Sequence, residues 1–302
     1  MEPGTWRLFF GEATHAEARI YVQYKGAQYT GQISPPLRLS GTIRGPSCRY
    51  AHTLPLRMLM RDAGPADSPL FEVIVPDPCF WTPEMPYLYD VRLEIKSGAE
   101  VVQSHAQQIG IRRLGVRGCD LVFEGRRTVL RAVRVDSPEG PLSDVELLLS
   151  MCHAAPAALL VENPTDELCR QASQLGVLLI AVVNAMPVDV AALLHRLSQW
   201  AAVAIAVLPT SFVDPIIDRP RNLLLAQHLT EDDATDTADW ADVALVDSAN
   251  VETLARYALE TTVPILAYRP LAAAMSVAAA RSACDHLQRD LAEQGDFAGY
   301  FV

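Results

Sequence analysis

"PCFWTPEMPYLYDVRLEI", residues 78–95, crowds prolines and four aromatics (Phe80, Trp81, Tyr87 and Tyr89) into a dozen positions and then alternates. Val91, Leu93 and Ile95 fall on one side, Asp90, Arg92 and Glu94 on the other, the period of a half-buried strand. The prolines fix an extended approach and remove backbone donors. Trp81, Tyr87 and Tyr89 can fill the end of a sheet-on-sheet core while their polar tips stay wet. Working outward, "RIYVQY", "LRLSGTIR", "FEVIVP" and "HAQQIGIRRL" show the same short alternation between about 17 and 115, separated by Pro/Gly/Ser/Asp clusters. Short strands at this spacing predict an immunoglobulin-like β-sandwich.

The period changes near Gly118. Strand candidates are now continuous apolar runs: "TVLRAVRV" (128–135), "AALLV" (157–161), "GVLLIAVV" (176–183), "VAIAVL" (203–208), "NLLLAQ" (222–227), "DVALVD" (242–247), "VPILAY" (263–268) and "FAGYFV" (297–302). Such runs suit parallel strands covered on both faces. Between them "SDVELLLSMCHAA", "TDELCRQASQL", "VDVAALLHRLSQW", "NVETLARYALE" and "LAAAMSVAAARSACDHLQRDLAEQ" carry apolar residues at helical spacing. Ser143, Thr165, and Asn250 before Glu252 read as N-caps. Helices after the fourth and fifth strands are poorly marked, and "SFVDPIIDRP" reads as loop.

Eight β-then-α units predict a compact (β/α)₈ TIM barrel, with an open doubly wound sheet as the alternative. "RVDSPEG" after the first strand is no glycine-rich phosphate loop, which weakens nucleotide binding. The expected organisation is multidomain β plus α/β, with a sandwich over 1–116 and a barrel over 117–302. The barrel segment is shorter than the usual ~250 residues, so its βα loops must be short.

The chain has 302 residues, half hydrophobic, and a net charge of −11. No Lys/Arg cluster marks a nucleic-acid footprint, and the acidic balance argues against anionic partners. The N-terminus lacks a signal peptide's basic start and apolar run, and no apolar stretch is long enough to span a bilayer. The expectation is a cytoplasmic protein without membrane contact. Its six scattered cysteines then read as buried free thiols, with no metal and no cofactor.

Trp81, Pro83, Glu84, Pro86, Tyr87, Leu88 and Tyr89 resemble the Trp-x-Pro-Glu-x-Pro-Tyr-Leu-Tyr segment of glycoside hydrolase family 2, the β-galactosidase, β-glucuronidase and β-mannosidase group. "IGIRRL" (109–114) is similar to that family's Phe-Gly-x-Arg segment. "LVFEGRRTVLRAV" (121–133) keeps the Gly125 and Arg131 of its next motif, and "VENPTDELCRQASQLGVLLIAVVN" (161–184) resembles its second and third barrel units. The C-terminal "DHLQRDLAEQGDFAGYFV" resembles its last helix and strand. The family's N-terminal jelly roll has no room here.

The resemblance implies retaining glycosidase chemistry, which needs two carboxylates about 5–5.5 Å apart. In the family the acid/base follows Asn at the end of strand four, and the nucleophilic Glu ends strand seven. Strand four here ends "AVLPTSF" without Asn-Glu, and strand seven ends in Ala267 and Tyr268. Both expected glutamates are lost. Matched positions near strands one to three differ as well, with Asp136 standing for the family's His.

Residues just past barrel strand ends face the site. Those here are Arg134 and Asp136, Glu162 and Asn163, Asn184, Thr210 and Ser211, His228, Asp247, Tyr268 and Arg269. As a set they predict a polar pocket, although any one alone could be a cap or a loop residue. The reading is a catalytically degenerate relative, a pseudoenzyme, binding a carbohydrate or another polar small molecule at the mouth. A second reading is a working glycoside hydrolase with displaced carboxylates Asp136 and Glu162, since adjacent strands lie ~4.8 Å apart. A third is a non-catalytic scaffold with a protein partner. His153 and His195 sit on apolar helices and are not read as ligands; "EDDATDTADW" (231–240) lacks the Gly and closing Glu of a calcium loop.

Overall fold

The computed structural model describes residues 5–25, 37–63, 70–97, 99–135, 142–184, 189–212, 219–230, 237–247, 250–271 and 275–302. The chain divides into two compact units, Met1–Arg112 and Arg113–Val302.

Among the described residues the first unit holds eight strands: β1 Thr5–Ala13, β2 Glu17–Lys25, β3 Leu37–Ser47, β4 Leu56–Leu59, β5 Arg61–Asp62, β6 Leu70–Pro76, β7 Leu88–Ser97 and β8 Glu100–Ile109. They form two four-stranded antiparallel sheets, ordered β1-β2-β6-β5 and β4-β3-β7-β8. Ile20, Val22 and Val73 from one sheet and Ile43, Val91 and Leu93 from the other meet in a single buried cluster. This is a sandwich core, made by the period-two alternation that puts every second side chain inward. "HAQQIGIRRL" was expected as one strand, but β8 ends at Ile109 and Gly110 to Arg113 leave the ladder. β1 and the short edge strand β4 carry little alternation in sequence and are drawn in by their partners β2 and β3.

The aromatic lead into β7 is structural. Trp81 is fully buried, and its backbone N–H donates to the Ile111 carbonyl at 2.6 Å. Tyr89 is buried in the core, and its hydroxyl accepts from the Cys79 N–H at 2.9 Å. The ring of Tyr89 lies against Gly45, where a Cβ would come within 2.6 Å of Cδ1 and 2.9 Å of the Leu88 carbonyl oxygen, so only glycine fits there.

Burial pushes the Tyr89 hydroxyl up to about 12, with the Cys79 backbone bond pulling the other way. The folded pKa therefore lies above the unfolded value near 10. Neutral Tyr89 contributes stability that is complete below pH ~10 and is lost as pH rises toward 12. Urea unfolding across that window should show Tyr89→Phe losing less stability than the parent. Parallel losses would overturn this assignment.

The second unit opens with a small antiparallel sheet, β9 Leu114–Arg117, β10 Asp120–Phe123 and β11 Arg126–Arg127, ordered β11-β10-β9. Then come β12 Leu130–Val135, α1 Leu142–Ala154, β13 Ala158–Glu162, α2 Asp166–Leu175, β14 Leu179–Val182, α3 Val190–Ser198, β15 Val203–Leu208 and β16 Leu224–Thr230. They continue with β17 Val243–Asp247, α4 Val251–Glu260, β18 Ile265–Tyr268, α5 Val277–Asp290 and β19 Gly299–Phe301. Strands β12 to β19 pair in sequence order, all parallel, and β19 closes on β12. This closed barrel excludes the open doubly wound sheet.

No helix is described after β15 or β16, where the sequence marks helices poorly. Thr165 and Asn250 cap α2 and α4, accepting from Leu168 N–H at 3.2 Å and Glu252 N–H at 2.9 Å. Ser143, expected as a cap, lies inside α1.

All six cysteines are unpaired, but only Cys152, Cys169 and Cys284 are buried; Cys119 is exposed. Burial raises the thiol pKa of Cys152 and Cys169 to about 12, which keeps them protonated and unreactive. Among the described residues no helix is long and apolar enough to cross a membrane.

Candidate functional site

Side chains alternate across β12, which sends Arg131 outward and Arg134 inward. Arg131 grips α5, with Nε on Asp285 at 2.9 Å and Nη2 on Gln288. Arg134 stands at the strand's C-terminal end. Its Nη1 donates to the Tyr268 hydroxyl at 3.1 Å, and its Nη2 is paired with Glu162 Oε1. Asn184 Nδ2 donates to the other oxygen of the same carboxylate. One guanidinium thus ties together the ends of the first, second and seventh barrel strands, and Asn184 adds the third.

Glu162 is the last residue of β13 and its side chain is 36% exposed. Paired with Arg134 and Asn184, it is positioned as a hydrogen-bond acceptor at the mouth. Tyr268, the last residue of β18, is only 2% exposed. Burial raises its pKa, the Arg134 bond works against that rise, and the charges of Asp247 and Glu162 add to it. Both carboxylates therefore lie within electrostatic reach of one buried phenol.

Asp247 ends β17 in register with Tyr268 on one side and Thr230 on the other. Its Oδ2 is 3.7 Å from His228 Nε2 on β16. The Thr210 hydroxyl donates to the backbone carbonyl of His228, joining strands four and five.

Asn163 is exposed with φ 44°, and its N–H donates to the Val182 carbonyl at 2.9 Å. Ser211 is exposed. The Arg269 guanidinium is paired with Asp290 at the end of α5, at 2.8 Å. That interaction commits it to the helical layer, separate from the Arg134 network. Asp136 lies outside the described residues, as does most of 231–240.

The structure thus joins Glu162, Asn184 and Tyr268 through Arg134, and places His228 beside Asp247. Sequence reasoning placed Arg134 in the ring without its central role. The signal was there: a second arginine, three residues after Arg131 and on the opposite face of the same strand.

The strand-four position is occupied by Leu208, Pro209 and Thr210, and strand seven ends in Tyr268. No carboxylate stands at either end. A retaining double displacement needs one carboxyl group to attack and one to protonate the leaving group.

The family model described as "Glycosyl hydrolases family 2" matches residues 53–112. Among solved structures, a Bifidobacterium dentium β-glucuronidase complexed with coumarin-3-O-glucuronide superposes with a TM-score of 0.68 at 13% identity, covering 98% of this chain and 59% of that one. A Bacteroides uniformis β-glucuronidase gives 0.67 at 11%, covering 98% and 45%. A β-glycosidase from Bacteroides vulgatus gives 0.64 at 10%, covering 87% and 37%. The chain thus spans from about a third to three-fifths of these proteins' lengths, and the likeness is one of fold. No curated protein matches the chain in sequence.

Proposed function

Starting from this chain's relationship to glycosyl hydrolases family 2, we propose that the barrel is catalytically silent and binds a carbohydrate at its mouth without cleaving it. The observation that carries this reading is the Arg134–Glu162–Asn184–Tyr268 network, set beside strand-four and strand-seven ends that hold no carboxylate. Glu162, paired with Arg134 and Asn184, is an acceptor suited to sugar hydroxyls. Tyr268, buried and hydrogen-bonded to Arg134, supports the floor rather than attacking an anomeric carbon. Asn184, His228 and Asp247 supply further donors and acceptors around the opening, with Asn163 exposed beside them.

A panel of aryl β-glycosides at high protein concentration should show no turnover above background. Titration of the same glycosides should then show binding that weakens about 10–100-fold in Glu162→Ala, the scale of losing a charge-assisted hydrogen bond of ~1.5–3 kcal/mol. Turnover abolished by Glu162→Gln or Asp136→Asn would overturn the silent reading and restore a hydrolase with displaced carboxylates. Equal affinities of parent and Glu162→Ala would remove the mouth as the binding site.

A further inference from the structure

The net charge of −11 is not shared between the units. Residues 1–112 carry 11 Lys/Arg and 11 Asp/Glu, whereas residues 113–302 carry 14 and 25. The first unit is neutral, so the acidic balance of the whole chain says nothing about its surface.

On the outer face of the β4-β3-β7-β8 sheet, register builds two rows. Leu59, Thr42, Arg92 and Ala106 form one, and Arg57, Arg44, Asp90 and Gln108 the other. Arg44 and Arg57 are direct cross-strand partners, and Arg92 is the diagonal neighbour of Arg44. Adjacent strands lie ~4.8 Å apart and diagonal pairs ~7–8 Å, so three guanidinium groups crowd around Thr42.

All three are exposed, and among the described residues none takes part in an ion pair or side-chain hydrogen bond. Several arginines elsewhere are paired: Arg19 with Glu17 and Glu72, Arg113 with Glu124, Arg219 with Asp242. The one carboxylate in these two rows, Asp90, accepts from Gln108 at 3.0 Å rather than from Arg44. Like charges directly opposite on a sheet are destabilising. An anion seated among them would remove that cost.

We propose that this face is a binding site for an acidic polysaccharide, with its carboxylate or sulfate groups on Arg44, Arg57 and Arg92. Planar guanidinium forks match such oxyanions in bidentate fashion. Thr42, Ser104 and Gln108 lie among and beside the arginines as partners for sugar hydroxyls. Nucleic acid fits less well, since the two rows offer no aromatic ring for base stacking. The site is separate from the barrel mouth and stands whether or not the mouth binds sugar.

The test is calorimetric titration of the full chain with polygalacturonate, dextran sulfate and neutral dextran at 50 and 200 mM salt. The expected result is binding of one or both acidic polymers, none of neutral dextran, and clear weakening at the higher salt. Which acidic polymer binds separates carboxylate from sulfate. Arg44→Glu, Arg57→Glu and Arg92→Glu should each weaken binding about tenfold, and the triple variant should lose it, with thermal unfolding unchanged as befits exposed sites. Arg221→Glu, an exposed arginine of the second unit, should bind like the parent. Three results would overturn the proposal: no binding by the parent, equal weakening by Arg221→Glu, or low-salt self-association that the triple variant abolishes while polymer binding survives. The last would make the face a contact between copies of this chain.

Discussion

Trp81→Ala is expected to cost about 3–5 kcal/mol of stability, the range for removing a large buried aromatic. Trp81 has no exposed surface, so its indole fills the approach to β7, while its backbone N–H, bonded to the Ile111 carbonyl, ties that approach to the segment that leaves β8. Prolines on either side hold the backbone extended and leave it little freedom to collapse into the space. Hydrogen exchange read by mass spectrometry should show peptides across 78–97 and 105–112 losing protection together. Protection unchanged in both would mean that the aromatic lead is dispensable and that its composition needs another explanation.

Phe301→Ala should produce a loss of similar size in the second unit, about 3–5 kcal/mol. Phe301 is fully buried on β19, the short strand that closes the barrel between β18 and β12. Its ring lies beside Gly299, where an added Cβ would meet Phe301 Cε1 at 2.8 Å and Leu266 Cδ2 at 2.7 Å. A cavity there removes the packing that holds a three-residue strand on two neighbours. The mouth should respond too, since Arg134 N–H donates to the Val302 carbonyl at 2.7 Å and Arg269 N–H to Phe301 at 3.0 Å. Thermal unfolding of the variant should fall well below the parent's. A shift of under a degree would show that the seam is held by its backbone ladder alone.

Much of the architecture was legible from period alone. Alternation in "YDVRLEI" and continuous apolar runs in "VAIAVL" reflect one buried face against two, and that difference is written locally in each strand. The caps at Thr165 and Asn250 were legible for the same reason, because a side-chain oxygen two or three residues from its backbone donor is a local event. The residues at the ends of strands four and seven were legible too, since the identity of a residue at a strand end needs no coordinates.

What sequence left open was contact between residues distant in the chain. Ser143 has the chemistry of a cap, yet α1 begins before it. Arg269 follows a barrel strand like its neighbours in the ring, yet Asp290 of α5 takes its guanidinium. Arg134 became the centre of the mouth only when barrel closure brought Tyr268 to one side of it and Glu162 to the other, from positions 134 and 28 residues away. Arg44, Arg57 and Arg92 look like three ordinary surface residues until antiparallel register sets them side by side. Local periodicity determined which faces of this chain are buried. Only the tertiary pairing of strands decided which charges meet, because electrostatic partners are chosen by distance in space, and the sequence records only distance along the chain.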